Sequence, residues 1–379
     1  MNRILYLQYT NPAGYPPLEH SSRILADCGW QVLFLGTGAL GANGLRFSSH
    51  PRITIRQLKF QPAGWRQKLH YVGFCLWCFG WALRWRPRWI YASDLLSCPP
   101  ALLINGLLRI AVVYHEHDSP GNDALGAFTR LCLLARRACA RRAKVCILPN
   151  QQRAVDFRAA TAPTCKVQVV WNCPSKTEVI PDAGSKRRGG LRLLYHGSIV
   201  PERLPLSVLD AVAEVPDDVS LRIVGYETVG SIGYLDELRT RSAQLRIAHR
   251  IEIVGTVPSR EELLNIGKSC DVGLALMPKN TSDRNIQTMT GASNKPFDYL
   301  ACGLALLVSD LPDWCEMFVK PGFGLCCDPA DPGSIAVALR RLYQNPDAMQ
   351  AMGRRGQLKV IAEWNYETEF NKVLQAWAS

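Results

Sequence analysis

The sequence predicts an α/β protein in which two doubly wound parallel-sheet domains, each Rossmann-like, face each other across a cleft. The chain has 379 residues, 47% of them hydrophobic and 20% charged, which is enough for two ordinary cores. Short β-rich apolar runs alternate with helical stretches in both halves, the pattern of parallel sheets. A stretch rich in Pro, Gly, Ser and charge, residues 172–190, separates the halves and reads as a linker.

Seven strands are predicted in the first half from its apolar runs. They are Ile4–Tyr9, Gln31–Leu35, Ile53–Leu58, Trp89–Ala92, Ala111–Tyr114, Lys144–Leu148 and Val167–Val170. Helices fill the gaps, notably Leu18–Cys28 and Ala124–Ala140.

A second alternating series follows the linker. Its predicted strands are Leu191–Tyr195, Ser220–Val224, Ile251–Val254, Val272–Leu276 and Leu304–Ser309, and its helices include Pro205–Ala213, Glu261–Lys268, Ser334–Gln344 and Glu363–Ala378. The predicted organisation is a first domain over 1–175, a linker over 176–190, a second domain over 191–362, and a last helix within 363–379 that can cross back onto the first domain.

Positive charge is concentrated in the first half. Residues 1–180 hold 22 Lys and Arg against 8 Asp and Glu, whereas the whole chain has a net charge of +12. This asymmetry fits either a surface that meets anionic lipid, nucleic acid or another polyanion, or a basic face that is simply solvated.

The beginning of the chain lacks the long apolar core of a signal peptide. Many of the fourteen cysteines lie in apolar segments, and Cys75 and Cys78 form a lone CxxC without a second pair. We therefore expect a reduced, cytoplasmic protein, either free or peripheral on the inner face of the cell membrane.

The most apolar stretch is 71–83, with basic residues before and after it. Its thirteen residues fall short of the roughly 20 that a membrane-spanning helix needs. Two interpretations stay open, a buried helix of the first domain and a helix lying on an anionic membrane surface.

The most informative segment is 293–310, which reads as a loop, a helix from about Pro296, a glycine stop and a buried strand. Loop amides at the start of that helix, beside Lys295, form an anion site suited to a diphosphate. Asp298 in the first turn can accept hydrogen bonds from a ribose diol, or can serve only as an acid near the helix N-terminus.

Other candidate residues lie near predicted strand ends, where ligands of such sheets bind. Gly197 is predicted to end the strand that begins the second domain, and Arg203 follows six residues later as a phosphate-binding cation or as an exposed helix-start arginine. In the first domain, His115 and His117 follow a strand, beside two acids in the same turn; an HxH pair on an extended segment without further ligands is only weak support for a metal. Gly14, in the first loop, allows a close backbone approach or only a turn.

The segment Asp298-Tyr-Leu-Ala-Cys-Gly303 resembles the acidic residue–Tyr–Leu/Met–Ala–x–Gly stretch of the retaining glycosyltransferases of family 4, which have the GT-B fold. The resemblance spans nearly the whole chain and is strongest over 190–330. It implies that Asp298 holds the nucleotide ribose. The family often has a Glu facing the donor sugar eight positions earlier, where this chain has Thr290. The family pattern is therefore incomplete at this position, and Thr290 and Gly291 are candidate donor-binding residues.

Some family relatives share a Ser/Pro-Asn-Lys run, kept here as Ser293, Asn294 and Lys295. The resemblance further implies that Arg203 and Lys295 hold the donor diphosphate, with Ser198 where the family has a second cation after the glycine.

By the same resemblance, the backbone of Thr256 and Val257 contacts the base. The family also has a His near the donor sugar and acceptor. Alignment of Tyr-x-x-His favours His117, with His115 as runner-up.

The implied activity is retaining transfer of a hexosyl unit from UDP- or GDP-hexose to a hydroxyl acceptor, such as a lipid-linked or envelope glycan in polysaccharide biosynthesis. His117, Arg203 and Lys295 are the expected catalytic residues. No cofactor or metal is expected, since no Asp-x-Asp pair is present. Nucleic acid is not an expected partner, because the basic residues follow no recognised motif. Two alternatives remain, a non-catalytic scaffold that binds nucleotide sugar and a sugar-nucleotide epimerase.

Overall fold

The structure is a computed structural model that describes residues 2–121, 126–179 and 189–378. These residues form two parallel sheets of seven and six strands with helices packed against them. The predicted fold class is confirmed.

The first sheet is built from the apolar runs of the first half. Its strands are β1 Arg3–Leu7, β2 Gln31–Thr37, β3 Ile53–Leu58, β4 Trp89–Ser93, β5 Ala111–His115, β6 Val145–Leu148 and β7 Lys166–Val169. Their order is β3-β2-β1-β4-β5-β6-β7, and all pairs are parallel. The order reverses between β1 and β4, and the crevice at such a reversal is where these sheets bind ligands.

Helices make the crossover connections between these strands, except from β2 to β3, which residues 38–52 join without a helix. They are α1 Pro16–Asp27, α2 Trp65–Trp85, α3 Cys98–Leu108, α4 Ala127–Arg142 and α5 Gln151–Thr161. Asn150 caps α5 by accepting a hydrogen bond from the Arg153 amide, which fixes where that helix begins. The predicted helix Ala124–Ala140 corresponds to α4; its residues 124 and 125 lie outside the described part of the chain.

The second sheet repeats the same plan. Its strands are β8 Leu191–Ile199, β9 Val219–Glu227, β10 Ile251–Gly255, β11 Val272–Ala275, β12 Ala305–Ser309 and β13 Gly324–Cys327, in the order β10-β9-β8-β11-β12-β13. The sequence did not predict β13, because Gly324-Leu-Cys-Cys327 is too short to stand out as an apolar run. The order reverses between β8 and β11, so this sheet also has a ligand-binding crevice.

The helices of the second half are α6 Ser207–Ala213, α7 Tyr234–Gln244, α8 Arg260–Gly267, α9 Arg284–Gln287, α10 Lys295–Ala301, α11 Pro312–Trp314, α12 Pro332–Gln344, α13 Pro346–Ala362 and α14 Tyr366–Ala378. The last of them returns to the first sheet. Tyr366, Phe370 and Val373 are fully buried in one core cluster with Ile4 and Tyr6. The end of the chain therefore joins the two halves.

The segment between the domains is more ordered at its start than its composition suggests. Residues 176–178 form a short helical turn closed by a reciprocal cap, in which Ser175 accepts from the backbone and Glu178 accepts from the Ser175 amide. Residues 180–188 of the predicted linker lie outside the described part.

The apolar stretch 71–83 lies inside the longer helix α2. Tyr71, Phe74, Cys78 and Ala82 are buried, so the buried-helix interpretation holds for one side of α2. Among the described helices, none is long and apolar enough to cross a membrane.

Candidate functional site

A cleft of about 530 Å³ lies between the two sheets, at the ends where β1, β5, β8 and β9 stop. Both domains line it, as the topology predicts for two facing doubly wound sheets. Ten of the residues singled out from the sequence lie on its wall: Gly14, His117, Gly197, Ser198, Arg203, Thr256, Val257, Ser293, Asn294 and Lys295.

Two cations face this cleft without a carboxylate partner among the described residues. Lys295, at the start of α10, is only 5% exposed, and its ammonium lies against the β8 backbone at Gly197: a Cβ built on Gly197 would be 2.9 Å from the Lys295 Nζ. Arg203 lies on the same wall, and its buried Nε has no hydrogen-bond partner in the described chain. Burial, followed by the charge of Arg203, lowers the pKa of Lys295 to about 7. A buried lysine and a half-buried arginine without ion-pair partners are costly, so this wall is suited to an anionic ligand.

Neutral polar groups surround the cations. The Ser293 hydroxyl is 3% exposed and has no partner within the described residues, and neither ring nitrogen of His117 has one. Burial lowers the pKa of His117 to about 4, so the ring is neutral at physiological pH and offers one donor and one acceptor. Such groups can bind the hydroxyls of a polyhydroxylated ligand.

The position of His117 is fixed by its backbone. Its amide donates to Asp94 Oδ1 at 2.7 Å, and its carbonyl accepts from Arg153 Nη1 at 2.5 Å. Asp94 follows β4 with a φ of +63°, a left-handed conformation that is rare outside glycine and often marks a functional site. Burial raises the pKa of Asp94 to about 6.

His115, the last residue of β5, and His117, two residues beyond it, differ in their surroundings. His115 is fully buried, and its Nδ1 lies 2.6 Å from the Tyr91 hydroxyl, whereas His117 lines the cleft. Between them, Glu116 turns away and makes a bidentate ion pair with Arg136. No three His, Cys, Asp or Glu side chains come together as a metal site anywhere in the described chain.

Asp298 is not on the cleft wall. It is 1% exposed, and its carboxylate accepts hydrogen bonds from Arg260 Nη2 at 2.8 Å and from Asn294 Nδ2 at 2.6 Å. Arg260 also binds Glu178, whose carboxylate lies 2.9 Å from His20 Nε2 on α1. Asp298 thus anchors a buried ion network that joins both domains, and its predicted contact with a ribose stays a prediction.

Thr290 and Gly291 also lie off the cleft wall. The Thr290 hydroxyl donates to Asp313, and Gly291 adopts a φ of +75° where a side chain would collide with the Trp171 ring. The Gly291 carbonyl accepts from the Asn172 amide at 2.8 Å. This segment therefore connects the domains through its backbone, and a sugar contact by these two residues stays a prediction.

Arg153 joins α5 to the segment before α10. Besides His117, its guanidinium donates to the Asn285 carbonyl at 2.8 Å and the Thr288 hydroxyl at 3.1 Å, although Arg153 is only 2% exposed. Asn285 in turn exchanges two hydrogen bonds with the Ser119 backbone. These contacts place the turn that bears His117 directly against the second domain.

Sequence reasoning missed Arg153, Arg260, Glu178 and Asp94. The side chains that tie Arg153, Arg260 and Glu178 into the site lie between 35 and 158 residues away, so no local pattern predicts these contacts. Of these three, Glu178 alone had a local signal, the Ser175-x-x-Glu178 capping pattern, which predicts a cap but no contact with Arg260. Asp94 had a usable signal, because an acid directly after the buried run Trp89–Ser93 stands where strand ends meet ligands.

The fold is that of an α/β protein with an interdomain cleft, and the two unpaired cations and neutral polar groups on its wall are suited to an anionic, polyhydroxylated ligand. Two family models match most of the chain. Residues 18–173 match the glycosyl transferase 4-like domain, and residues 177–359 match glycosyl transferases group 1. The chain belongs to the group 1, family 4-like glycosyltransferases of the GT-B fold, which confirms the resemblance seen in the sequence.

Individual relatives are distant. Glycogen synthase of Mycobacterium tuberculosis is 21% identical over 304 residues, which are 77% of this chain and 69% of that protein. Sucrose-phosphate synthase of Thermosynechococcus elongatus superimposes with a TM-score of 0.71 at 15% identity, covering 100% of this chain and 98% of that one. Anabaena HepE, solved in complex with UDP and glucose, has a TM-score of 0.72 at 16% identity, covering all of both chains. At these identities the structural likeness establishes the fold.

Proposed function

We propose that this glycosyltransferase moves a hexosyl unit from a UDP- or GDP-hexose to a hydroxyl acceptor, with retention of configuration and without a bound metal. The observation that carries the proposal is the pair of cations, Arg203 and Lys295, which line the cleft and make no ion pair with a carboxylate of the described chain. A donor diphosphate supplies the missing charge. The binding of UDP and glucose by HepE, a protein of the same fold, supports this choice of ligand.

The transfer needs one bond broken and one formed at the sugar C1. The acceptor oxygen attacks the face that the diphosphate leaves, the C1–O bond to phosphate breaks, and the acceptor proton passes to the leaving phosphate oxygen. Arg203 and Lys295 stabilise the charge that develops on the diphosphate. Neutral His117 orients a hydroxyl of the donor sugar or of the acceptor, because both its nitrogens are free within the described structure.

The small number of carboxylates on the cleft wall supports proton transfer to the leaving phosphate over a glycosidase-type mechanism. Among the described residues that line the cleft, Asp118 is the one carboxylate. A double displacement on the glycosidase pattern uses two carboxyl groups about 5 Å apart. The leaving phosphate is therefore the proposed base.

The acceptor side is a groove in the first domain. A pocket of about 130 Å³ shares Thr10, Ala39 and Phe60 with the cleft. A further, outer pocket of about 250 Å³ shares Tyr9 with this smaller pocket. This outer pocket is lined mainly by aromatic and apolar side chains, among them Trp65, together with Gln67 and Lys68, and lies at the start of α2. A lipid-linked glycan, with sugar and apolar parts, fits such a path and would place the protein in envelope polysaccharide assembly on the cytoplasmic side of a membrane.

The test is a thermal-shift screen of the purified chain against UDP, GDP, ADP and their hexose conjugates, with and without EDTA. We expect an upward shift of several degrees with one nucleotide, unchanged by EDTA. Donor turnover is then followed by release of the nucleoside diphosphate in the presence of candidate acceptors. A shift that EDTA abolishes would overturn the metal-free proposal, and no shift with any nucleotide would overturn the donor site.

A second candidate is a non-catalytic subunit that binds nucleotide sugar. Two observations favour it: Ser198 stands where the family has a cation, and Thr290 is bonded to Asp313 and lies off the cleft wall. Tight nucleotide binding without transfer or donor hydrolysis would support this candidate over transfer.

A further inference from the structure

The outer side of α2 is apolar and uncovered. Five of its large apolar side chains are between 49% and 66% exposed: Trp65, Leu69, Val72, Leu76 and Leu83. With 3.6 residues per turn they fall within an arc of about 60°, opposite the buried side of the helix. A surface helix normally presents polar residues there. The exposed stripe of α2 is therefore suited to contact with an apolar partner.

The two neighbouring helices extend this surface. α2 packs beside α3, and α3 packs beside α4. Leu107 on α3 and Leu131 and Leu134 on α4 are 63% to 66% exposed. Eight of the eleven exposed large apolar residues in the described part of the first domain thus lie on three adjacent helices. Apolar residues gathered in this way mark an interaction surface, whereas scattered ones do not.

The same three helices carry only positive charge. They contain eight Lys and Arg and no Asp or Glu. On α2, Lys68 flanks the apolar stripe on one side and Arg66 and Arg84 flank it on the other. One of the eight, Arg136, is buried and paired with Glu116; four more on α4 are exposed: Arg130, Arg137, Arg141 and Arg142.

Charge decides between the occupants of this surface. A second copy docked by two-fold symmetry would set the basic face against itself, and the resulting repulsion disfavours it. An anionic bilayer accepts the apolar stripe at the acyl boundary while its headgroups pair with the flanking cations. We propose that the α2–α3–α4 face docks on an anionic membrane surface, with α2 lying in the plane of the headgroups.

Docking by this face would put the acceptor groove at the membrane. Trp65 and Lys68 belong to the docking helix and also line the outer pocket of that groove. If the chain transfers a sugar as proposed above, a lipid-linked acceptor could enter from the bilayer and reach the cleft along the shared walls of the three pockets. The docking itself does not depend on that activity.

Vesicle co-sedimentation of the full chain tests the proposal. Vesicles of phosphatidylcholine with about one third phosphatidylglycerol are compared with pure phosphatidylcholine at low and high salt. We expect binding to the anionic vesicles that weakens as salt rises. The double variant Leu69→Gln/Leu76→Gln should lower the partition coefficient at least tenfold.

A matched control removes equally exposed apolar residues from the second domain. Val337→Gln/Leu358→Gln changes side chains that are 63% and 65% exposed, and it should bind vesicles like the wild type. Both double variants should keep the nucleotide-dependent thermal shift, which separates failed docking from failed folding or failed donor binding.

Three results would overturn the proposal. They are no binding to anionic vesicles, an equal loss in both double variants, and a dimer in gel filtration that disappears in the α2 variant. The last would assign the face to a second copy of the chain.

Discussion

Donor binding should depend on pH through Lys295. Its pKa is lowered to about 7 because the ammonium is buried beside Arg203. A bound diphosphate stabilises the charged form and raises that pKa, so donor binding takes up a proton above pH 7. The diphosphate of a nucleotide sugar is a diester, and the ligand itself does not titrate between pH 6.5 and 8.5.

The size of the effect follows from these values. If the bound diphosphate restores an ordinary lysine pKa, affinity should fall about 25-fold between pH 6.5 and 8.5, or about 1.9 kcal/mol. The loss approaches tenfold per pH unit at the alkaline end, because the free Lys295 must then be protonated for each ligand bound.

Calorimetric titration with the preferred nucleotide sugar measures this. At pH 8 the observed heat should differ between buffers of different ionisation enthalpy, which reveals proton uptake. Lys295→Met should bind weakly and with no such slope, while Lys268→Met, at an exposed position, should behave like the wild type. A wild-type affinity that stays flat from pH 6.5 to 8.5 would refute the assignment of Lys295 to the diphosphate.

Four further variants test the rest of the site. Arg203→Ala should weaken donor binding by a factor of about 10 to 100, which is the typical contribution of one charge-assisted hydrogen bond. Unchanged affinity, measured by calorimetry, would count against the anion site. Asp298→Asn should lower the melting temperature by several degrees, because Arg260 then loses a buried carboxylate; an unchanged melting curve would contradict the network. His117→Ala should leave donor affinity nearly intact and slow turnover at least tenfold, and equal activity would move the role elsewhere. Asp118→Asn should keep turnover within about tenfold of the wild-type rate if the leaving phosphate is the base. A complete loss of turnover with intact donor binding would instead make Asp118 a base or nucleophile.

The fold could be predicted from the sequence because its signals are local. Buried strands of parallel sheets are continuous apolar runs, and all the predicted strands are present with ends that differ by a few residues. β13 was not predicted, because its four residues include a glycine and two cysteines and do not form a continuous apolar run. The exposed face of α2 was left open for a related reason: the helix is apolar on both sides, so composition alone cannot say which side the core covers.

The site was only partly accessible to the same reasoning. Glycines and cations near strand ends, such as Gly197 and Arg203, lie on the cleft wall, because topology alone brings strand ends to the cleft. Asp298 is drawn away from the wall by Arg260 and Asn294. This outcome depends on which cation, distant in the sequence, pairs with Asp298. A single sequence does not show which long-range pairs form.

We propose that Lys295 compensates for the serine at position 198. Where the family places an arginine after the strand-end glycine, this chain has a serine, and the Lys295 ammonium lies 2.9 Å from where a Gly197 side chain would begin. The positive charge beside Gly197 is thus supplied by a side chain at the start of α10 instead of one on β8. The exchange has a chemical consequence, because an arginine stays charged at every physiological pH whereas a buried lysine with a pKa of about 7 does not. The substitution that makes this chain depart from its family is therefore also what should make its donor site sensitive to pH.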